Sequence, residues 1–413
     1  MAETADPARI ETLFRFFDTP SNKASILSVS DETRYAWRHM SNFFPTEQVL
    51  RDGPVRQLPE RPDPAIARLV VRFADGSVAT VDDYFAASTM DAMVVLRGGD
   101  VVYERYKSLR PIDKRAWFSC SKIIVGTLMA LLEHEGRIDV SKPVSVYLPD
   151  LVGSVWDSVL VEAALDMATG LDSTEHEEPD ARTNPARGWY RWAASIGLFG
   201  DVEARNETPV DVLRGMTRRR AAHEVFEYNS INTYVCQMII EKLAGLPLAE
   251  FFGSRIWRRI GVQGDGYLVV SKQGRALGFG FMNSTLRDLA RFGLIFTTDR
   301  VAPGEAPILP DAVLARVHSG LRPGMYDKGA FGRVFRKDFP LPGIANRYQW
   351  DIVTPDGDQF KAGFAGQGLY VSRPRDSVVA FFSTGTQRDE ALAAWVARTI
   401  TQSFDVATGS ARS

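Results

Sequence analysis

Strand-forming segments stand at both ends of this sequence, and the long stretch between them is mainly helical. ARLVVRFADGSVATVDDYF (67–85) reads as a strand, an Asp-Gly turn and a second strand. DAMVVLRGGDVVYERY (91–106) repeats the pattern, with Val94, Leu96 and Val102 alternating onto buried faces. Strand signals return at RYQWDIV (347–353) and GQGLYVSRPRDSVVAFFSTG (366–385), and a last helix, DEALAAWVARTITQSF, closes the chain. Helical patterns cover 119–135, 159–168, 209–215, 230–244, 247–257 and 285–296. This arrangement predicts an α/β (α+β) fold: one antiparallel sheet built from both chain ends, flanked by helices, with a large mainly helical insertion. The boundaries expected are an irregular N-terminal extension over 1–65, a sheet domain from 66–118 and 300–413, and a helical domain over 119–299. The polar and aromatic segment 170–208 is too long for a plain connection and reads as a functional loop. Its Trp189, Tyr190 and Trp192 suit either an apolar rim or packing against the helical insertion.

Composition narrows the partners. The chain has 413 residues, 45% of them hydrophobic and 24% charged, enough for a large core. Lys plus Arg is 49 and Asp plus Glu is 51, so no bulk charge draws it to nucleic acid or an anionic membrane. No apolar run reaches membrane-spanning length, and MAETADPARIETLFRFF is not a secretory signal. A cytoplasmic protein without membrane or nucleic-acid partners is expected; a homodimer is left open. Cys120 and Cys236 sit in apolar helical context and are expected as buried free thiols. His39, His134, His176, His223 and His318 show no metal-like pairing, so no metal and no other cofactor is expected.

FSCSK (118–122) begins an unusually apolar helix, IIVGTLMALLEHEG. Ser119 and Lys122 are three apart and share a helix face. A serine hydroxyl attacks carbonyls only when something removes its proton. A desolvated lysine can do so, because burial lowers its pKa and frees the neutral amine. The free backbone N–H groups of a first helical turn could help hold an oxyanion there. The plain alternative is a serine N-cap with a solvated lysine.

Two further elements follow in order. Tyr228 and Ser230 in FEYNSINTYVCQMIIEKLAG precede a second apolar helix, which suits a phenolate or a proton relay beside the lysine. In KAGFAGQGLYV (361–371), Ala365 and Gly366 would let a strand approach a ligand closely.

The order S-x-x-K, Y-x-S and then a Gly-rich strand in place of K-T-G resembles the serine β-lactamase and penicillin-binding-protein superfamily. More narrowly it is similar to class C β-lactamase-related esterases and 6-aminohexanoate-dimer hydrolases. MVVLRGGDVVYERY, MATGLD, GFGFMNSTLRDLARFG and GQGLYVSRPRDSVV carry the likeness through nearly the whole chain. The resemblance implies Ser119 as the acylated nucleophile, Lys122 as its base and Tyr228 as the proton carrier. It implies an oxyanion hole from the amides of Ser119 and Gln367. It implies Ser230 as holding Lys122 or the substrate and Asn283 as a substrate contact, and His176, Ala365 and Gly366 are expected at the same place. Two departures stand out. FAGQ where K-T-G is expected removes the basic residue that would anchor a carboxylate, which counts against β-lactams. LDSTEHEE offers His176 and Glu177 where the nylon-oligomer hydrolases carry a tyrosine, which counts toward esters over amides. The expected activity is therefore a serine hydrolase acting on small carboxylic esters. Acyl transfer, D-amino-acid peptide cleavage and a noncatalytic scaffold are the alternatives.

Overall fold

The computed structural model describes residues 6–198, 206–298, 306–386 and 389–409; part of the 170–208 loop and the 299/300 boundary lie outside them. The main sheet has seven strands: β1 (Met90–Arg97), β2 (Asp100–Tyr106), β3 (Ala345–Arg347), β4 (Trp350–Val353), β5 (Asp358–Gly363), β6 (Gln367–Ser372) and β7 (Ser377–Ser383). Their order is β2-β1-β7-β6-β5-β4-β3, antiparallel throughout, so the two chain ends meet where β1 pairs with β7. This is the antiparallel sheet expected from both ends.

The strands do not alternate between core and water. Met93, Val94, Val95 and Leu96 are all buried. Helices cover both faces: Leu286–Leu294 packs on β1, β6 and β7 from one side, and Glu390–Gly409 packs on β5, β6 and β7 from the other. A sheet roofed on both faces needs apolar residues at every position. Val94 and Leu96 join the core on one side, while Met93, Val95 and Val102 join a second cluster on the other.

RYQWDIV is not one strand but a tight hairpin. Tyr348 and Gln349 turn between β3 and β4 with φ of 45° and 71°, the left-handed geometry a two-residue hairpin needs. Neither residue announces such a turn. Gln349 is held there by Thr233 Oγ1, which donates to its Oε1 at 2.6 Å, and by its own Nε2, which donates to the Leu165 carbonyl at 3.0 Å.

A second, four-stranded sheet joins distant segments: Thr46–Val49, Gly266–Val269, Met282–Ser284 and Arg115–Ala116. The N-terminal stretch thus contributes a strand. Its last strand, Arg115–Ala116, delivers the chain to Ser119. The helix that follows, Lys122–His134, is buried from Lys122 to Leu132 and packs against Ser230–Ala244. Gly126 permits this depth, since a Cβ there would stand 2.2 Å from the Tyr348 carbonyl oxygen. Cys120 and Cys236 are buried free thiols. No described helix is long and apolar enough to cross a membrane.

Candidate active site

The turn that presents Ser119 is built under constraint. Phe118 has φ 46°, a conformation unfavourable for a side chain of its size. Aromatic packing holds it: Trp37, Phe281 and Phe364 surround its ring at centroid distances of 5.1, 6.1 and 5.4 Å. The Trp117 amide donates to the Met282 carbonyl at 2.7 Å, and its indole donates to Ser284 Oγ at 2.9 Å. A short 3-10 turn, Phe118–Ser121, then leads into the long helix. Ser119 is half-buried and lines a cavity of about 400 Å³.

Lys122 lies directly beneath it with no exposed surface. Its Nζ is 3.3 Å from Ser119 Oγ, 3.0 Å from Ser230 Oγ and 2.6 Å from the Phe279 carbonyl oxygen. Burial, helped by the nearby cations Lys361 and Arg182, pushes the amine down to about 7, against the opposing pull of Glu175 and Asp351. A neutral amine has two N–H bonds and one lone pair. Two donors satisfy Phe279 and Ser230, which leaves the lone pair for the Ser119 proton.

Tyr228 is buried and lines the same cavity as Ser119. Its ring stacks on Phe331 at 4.4 Å, with Lys122 and Lys361 ammonium nitrogens 5.1 and 4.8 Å from its centroid. Burial, then the charges of Asp351 and Glu175, drive its pKa well above the usual phenol value. Of the two roles open in the sequence, phenolate and proton relay, this environment favours a protonated donor.

Ser230 starts the second buried helix. Asn229 caps it, accepting from the Ile231 amide at 3.0 Å and donating to the Ser173 carbonyl at 2.6 Å. The Ser230 amide donates to Glu175 Oε2 at 2.7 Å, and Arg182 donates to Glu175 Oε1 at 2.8 Å. Burial works against a charged Glu175, but Arg182, His176 and Lys122 together outweigh it and hold the carboxyl down at about 2. A fixed anion therefore sits at the floor of the cavity. It was invisible in the sequence, where LDSTEHEE looks like any polar loop.

His176 and Ala365 line the cavity as expected. Four expected residues do not; Ser230 borders a smaller neighbouring space instead. Asn283 is fully buried in the four-stranded sheet, opposite Ala116 and Tyr267, with its amide donating to the Phe281 carbonyl at 2.9 Å. Gly366 faces Ser383, where an added Cβ would meet the serine at 2.9 Å. Gln367 has its side chain locked into the sheet, donating to the carbonyls of Phe364 and Ser383 at 2.9 and 2.8 Å. The cavity wall here is Ala362, Gly363, Phe364 and Ala365.

The missing basic residue is also present, one strand earlier than the FAGQ stretch. Lys361 lies on β5, followed by Ala362 and Gly363, a K-x-G pattern beside the nucleophile. It escaped notice because a lysine at the centre of a buried strand has no apparent reason to be there. The reason is on β4: Lys361 Nζ is 2.5 Å from Asp351 Oδ1, both side chains essentially without exposure. Asp351 also accepts from the Ala362 amide at 3.0 Å. Trp189 and Trp192 are core residues, not a rim; Arg182 lies over the Trp189 ring at 5.3 Å.

Comparison with known proteins agrees with this architecture. The beta-lactamase family profile matches residues 81–402. A 6-aminohexanoate-dimer hydrolase of Paenarthrobacter ureafaciens is 29% identical over 360 residues, covering 86% of each chain. Among solved structures, a Bacillus anthracis protein named as a 6-aminohexanoate-dimer hydrolase superposes with a TM-score of 0.77 at 21% identity, covering 94% of this chain and 97% of that one. EstCE1, a hydrolase with promiscuous acyltransferase activity, superposes at 0.57 and 14% identity, covering 78% of this chain and 96% of that one. The chain belongs to the beta-lactamase family of hydrolases.

Proposed function

We propose that this protein is a serine hydrolase that cleaves small carboxylic esters through an acyl-enzyme on Ser119. The observation that carries the reading is the unexposed Lys122 amine, 3.3 Å from Ser119 Oγ and depressed to about 7. Near neutral pH a large share of such an amine is unprotonated and can take the serine proton.

Ser119 Oγ bonds to the carbonyl carbon as its proton passes to Lys122. The carbonyl oxygen becomes an oxyanion between the amides of Ser119 and Phe364, the latter replacing the Gln367 amide. The carbon–oxygen bond to the leaving alcohol breaks, and Tyr228 gives that oxygen a proton and recovers one from Lys122. Water then repeats the sequence on the acyl-enzyme, freeing the acid and Ser119. Ser230 holds Lys122 in register, and Glu175 holds Ser230.

Ester cleavage stands ahead of amide cleavage because an alkoxide leaves with less help than an amine. The likeness to a 6-aminohexanoate-dimer hydrolase supports an amide of a linear amino acid dimer as the second substrate class. Lys361 is consumed by Asp351, which counts against a carboxylate-anchored β-lactam.

The test is hydrolysis of p-nitrophenyl acetate by wild type and by Ser119→Ala. A fall of at least about 10³-fold in kcat/KM is expected from loss of the nucleophile; equal rates eliminate the mechanism.

A further inference from the structure

Ser119 stands between two compartments. The larger, about 400 Å³, is walled by Tyr228, Phe331, Val334 and Phe335. The smaller, about 50 Å³, is walled by Leu27, Phe118, Trp189, Phe279 and Phe281. Glu175, Arg182 and Phe364 border both. Tyr228 borders only the larger.

This asymmetry assigns direction. The proton donor has to sit beside the departing oxygen, so the leaving group occupies the compartment that Tyr228 borders. The two substituents of a carbonyl under attack at Ser119 point apart, so the acyl chain enters the other one. We propose that Leu27, from the N-terminal segment, closes the acyl compartment and limits the acyl group to a short chain. The leaving alcohol is then the bulky apolar partner, lying against the Ala330–Asp338 helix that supplies Phe331, Val334 and Phe335. The inference rests on the serine-hydrolase reading above.

The sizes bear it out. A water-sized group occupies about 10–15 Å³ on this measure, so the small compartment, about 50 Å³, accepts about three to five such groups. Leu27, Phe118, Trp189, Phe279, Phe281 and Phe364 make most of its wall apolar, and the charged side chains at its border, Glu175 and Arg182, are paired with each other at 2.8 Å, which suits a short alkyl chain. Phe118, Phe279 and Phe281 are buried and packed edge-on against one another, so that side cannot yield cheaply. Leu27 is only half-buried, at the end of the 3-10 segment Pro20–Leu27. It is the wall residue where chain length can be altered without cutting into the core. Val334 is 41% exposed and stands on the opposite wall.

The experiment measures kcat/KM for p-nitrophenyl acetate, butanoate and octanoate with wild type, Leu27→Ala and Leu27→Trp. A second series compares benzyl acetate with ethyl acetate in wild type and Val334→Ala. Wild type is expected to lose at least about 10-fold from butanoate to octanoate, the scale of methylene discrimination by an apolar pocket. Leu27→Ala should reduce that loss to under about 3-fold, and Leu27→Trp should bring the loss forward to butanoate. Benzyl acetate should exceed ethyl acetate in wild type, with the ratio falling several-fold in Val334→Ala. Octanoate turned over as fast as acetate, or a chain-length profile identical in all three proteins, overturns the inference while leaving Ser119-dependent hydrolysis intact. Absence of Ser119-dependent turnover of every ester removes the functional reading itself.

Discussion

Lys122 is buried where a charge is poorly supported, and the proposed mechanism makes its proton the quantity that sets the rate. The amine is depressed from 10.5 to about 7, so it is protonated below that value and cannot accept from Ser119. The account predicts that kcat/KM for a neutral ester rises with pH through about 7 and then levels. Lys122→Ala should lower kcat/KM by about 10²–10⁴ and abolish that limb of the pH profile. A rate independent of pH between 5 and 9 in wild type would contradict the assignment. The same shift has a stability consequence. Between about 7 and 10.5 the unfolded chain binds a proton that the folded chain does not, so this group's contribution to stability rises with pH across that window. Ser119, Lys122, Tyr228 and Ser230 were legible in the sequence because each stands at the head of an apolar helix, where a polar residue is conspicuous. Glu175 and Lys361 were not. Each is explained by partners far along the chain: Glu175 by Ser230, and Lys361 by Asp351 across a strand pair.

At the scale of elements, β4 and β5 are joined by that buried pair as well as by their ladder. Breaking a buried ion pair leaves an uncompensated charge, which costs about 3–5 kcal/mol. Lys361→Met should therefore lower stability by about that amount in urea unfolding, and Lys361→Met with Asp351→Leu should recover much of it. A single variant as stable as wild type would show the pair to be dispensable. What the sequence does not show also belongs to this scale. The strand-bearing stretches are clear in the sequence, but strand number, ends and side-chain direction are not: RYQWDIV holds parts of two strands, and the second strand expected within 67–85 ends at Thr80, where the helix Val81–Ala87 begins. KAGFAGQGLYV (361–371) looks like one Gly-rich strand facing the site, whereas β5 ends at Gly363 and presents the wall, and Gln367 already belongs to the next strand. Asn283 was expected in the cavity, yet the pairing of its strand turns it into the four-stranded sheet.

For the whole molecule, the site is assembled from segments near 28, 119, 175, 228, 331 and 363, which meet only when both chain ends complete the sheet. Loss of esterase activity and loss of far-UV circular dichroism in urea should therefore share one midpoint; activity persisting well past the structural transition would contradict this dependence. The fold was legible because the strand–helix–strand order constrains how two chain ends can share a sheet. The cavity was less so, since its walls come from segments whose proximity only the tertiary structure decides.

The central claim is that Ser119 is a nucleophile because Lys122 takes its proton. Treatment of the folded protein with a fluorophosphonate, followed by intact-mass and peptide analysis, tests it directly. The account predicts one adduct, on Ser119, formed faster as the pH rises through about 7 and absent in Ser119→Ala. A folded protein that acquires no adduct, or acquires it on another residue, would contradict it.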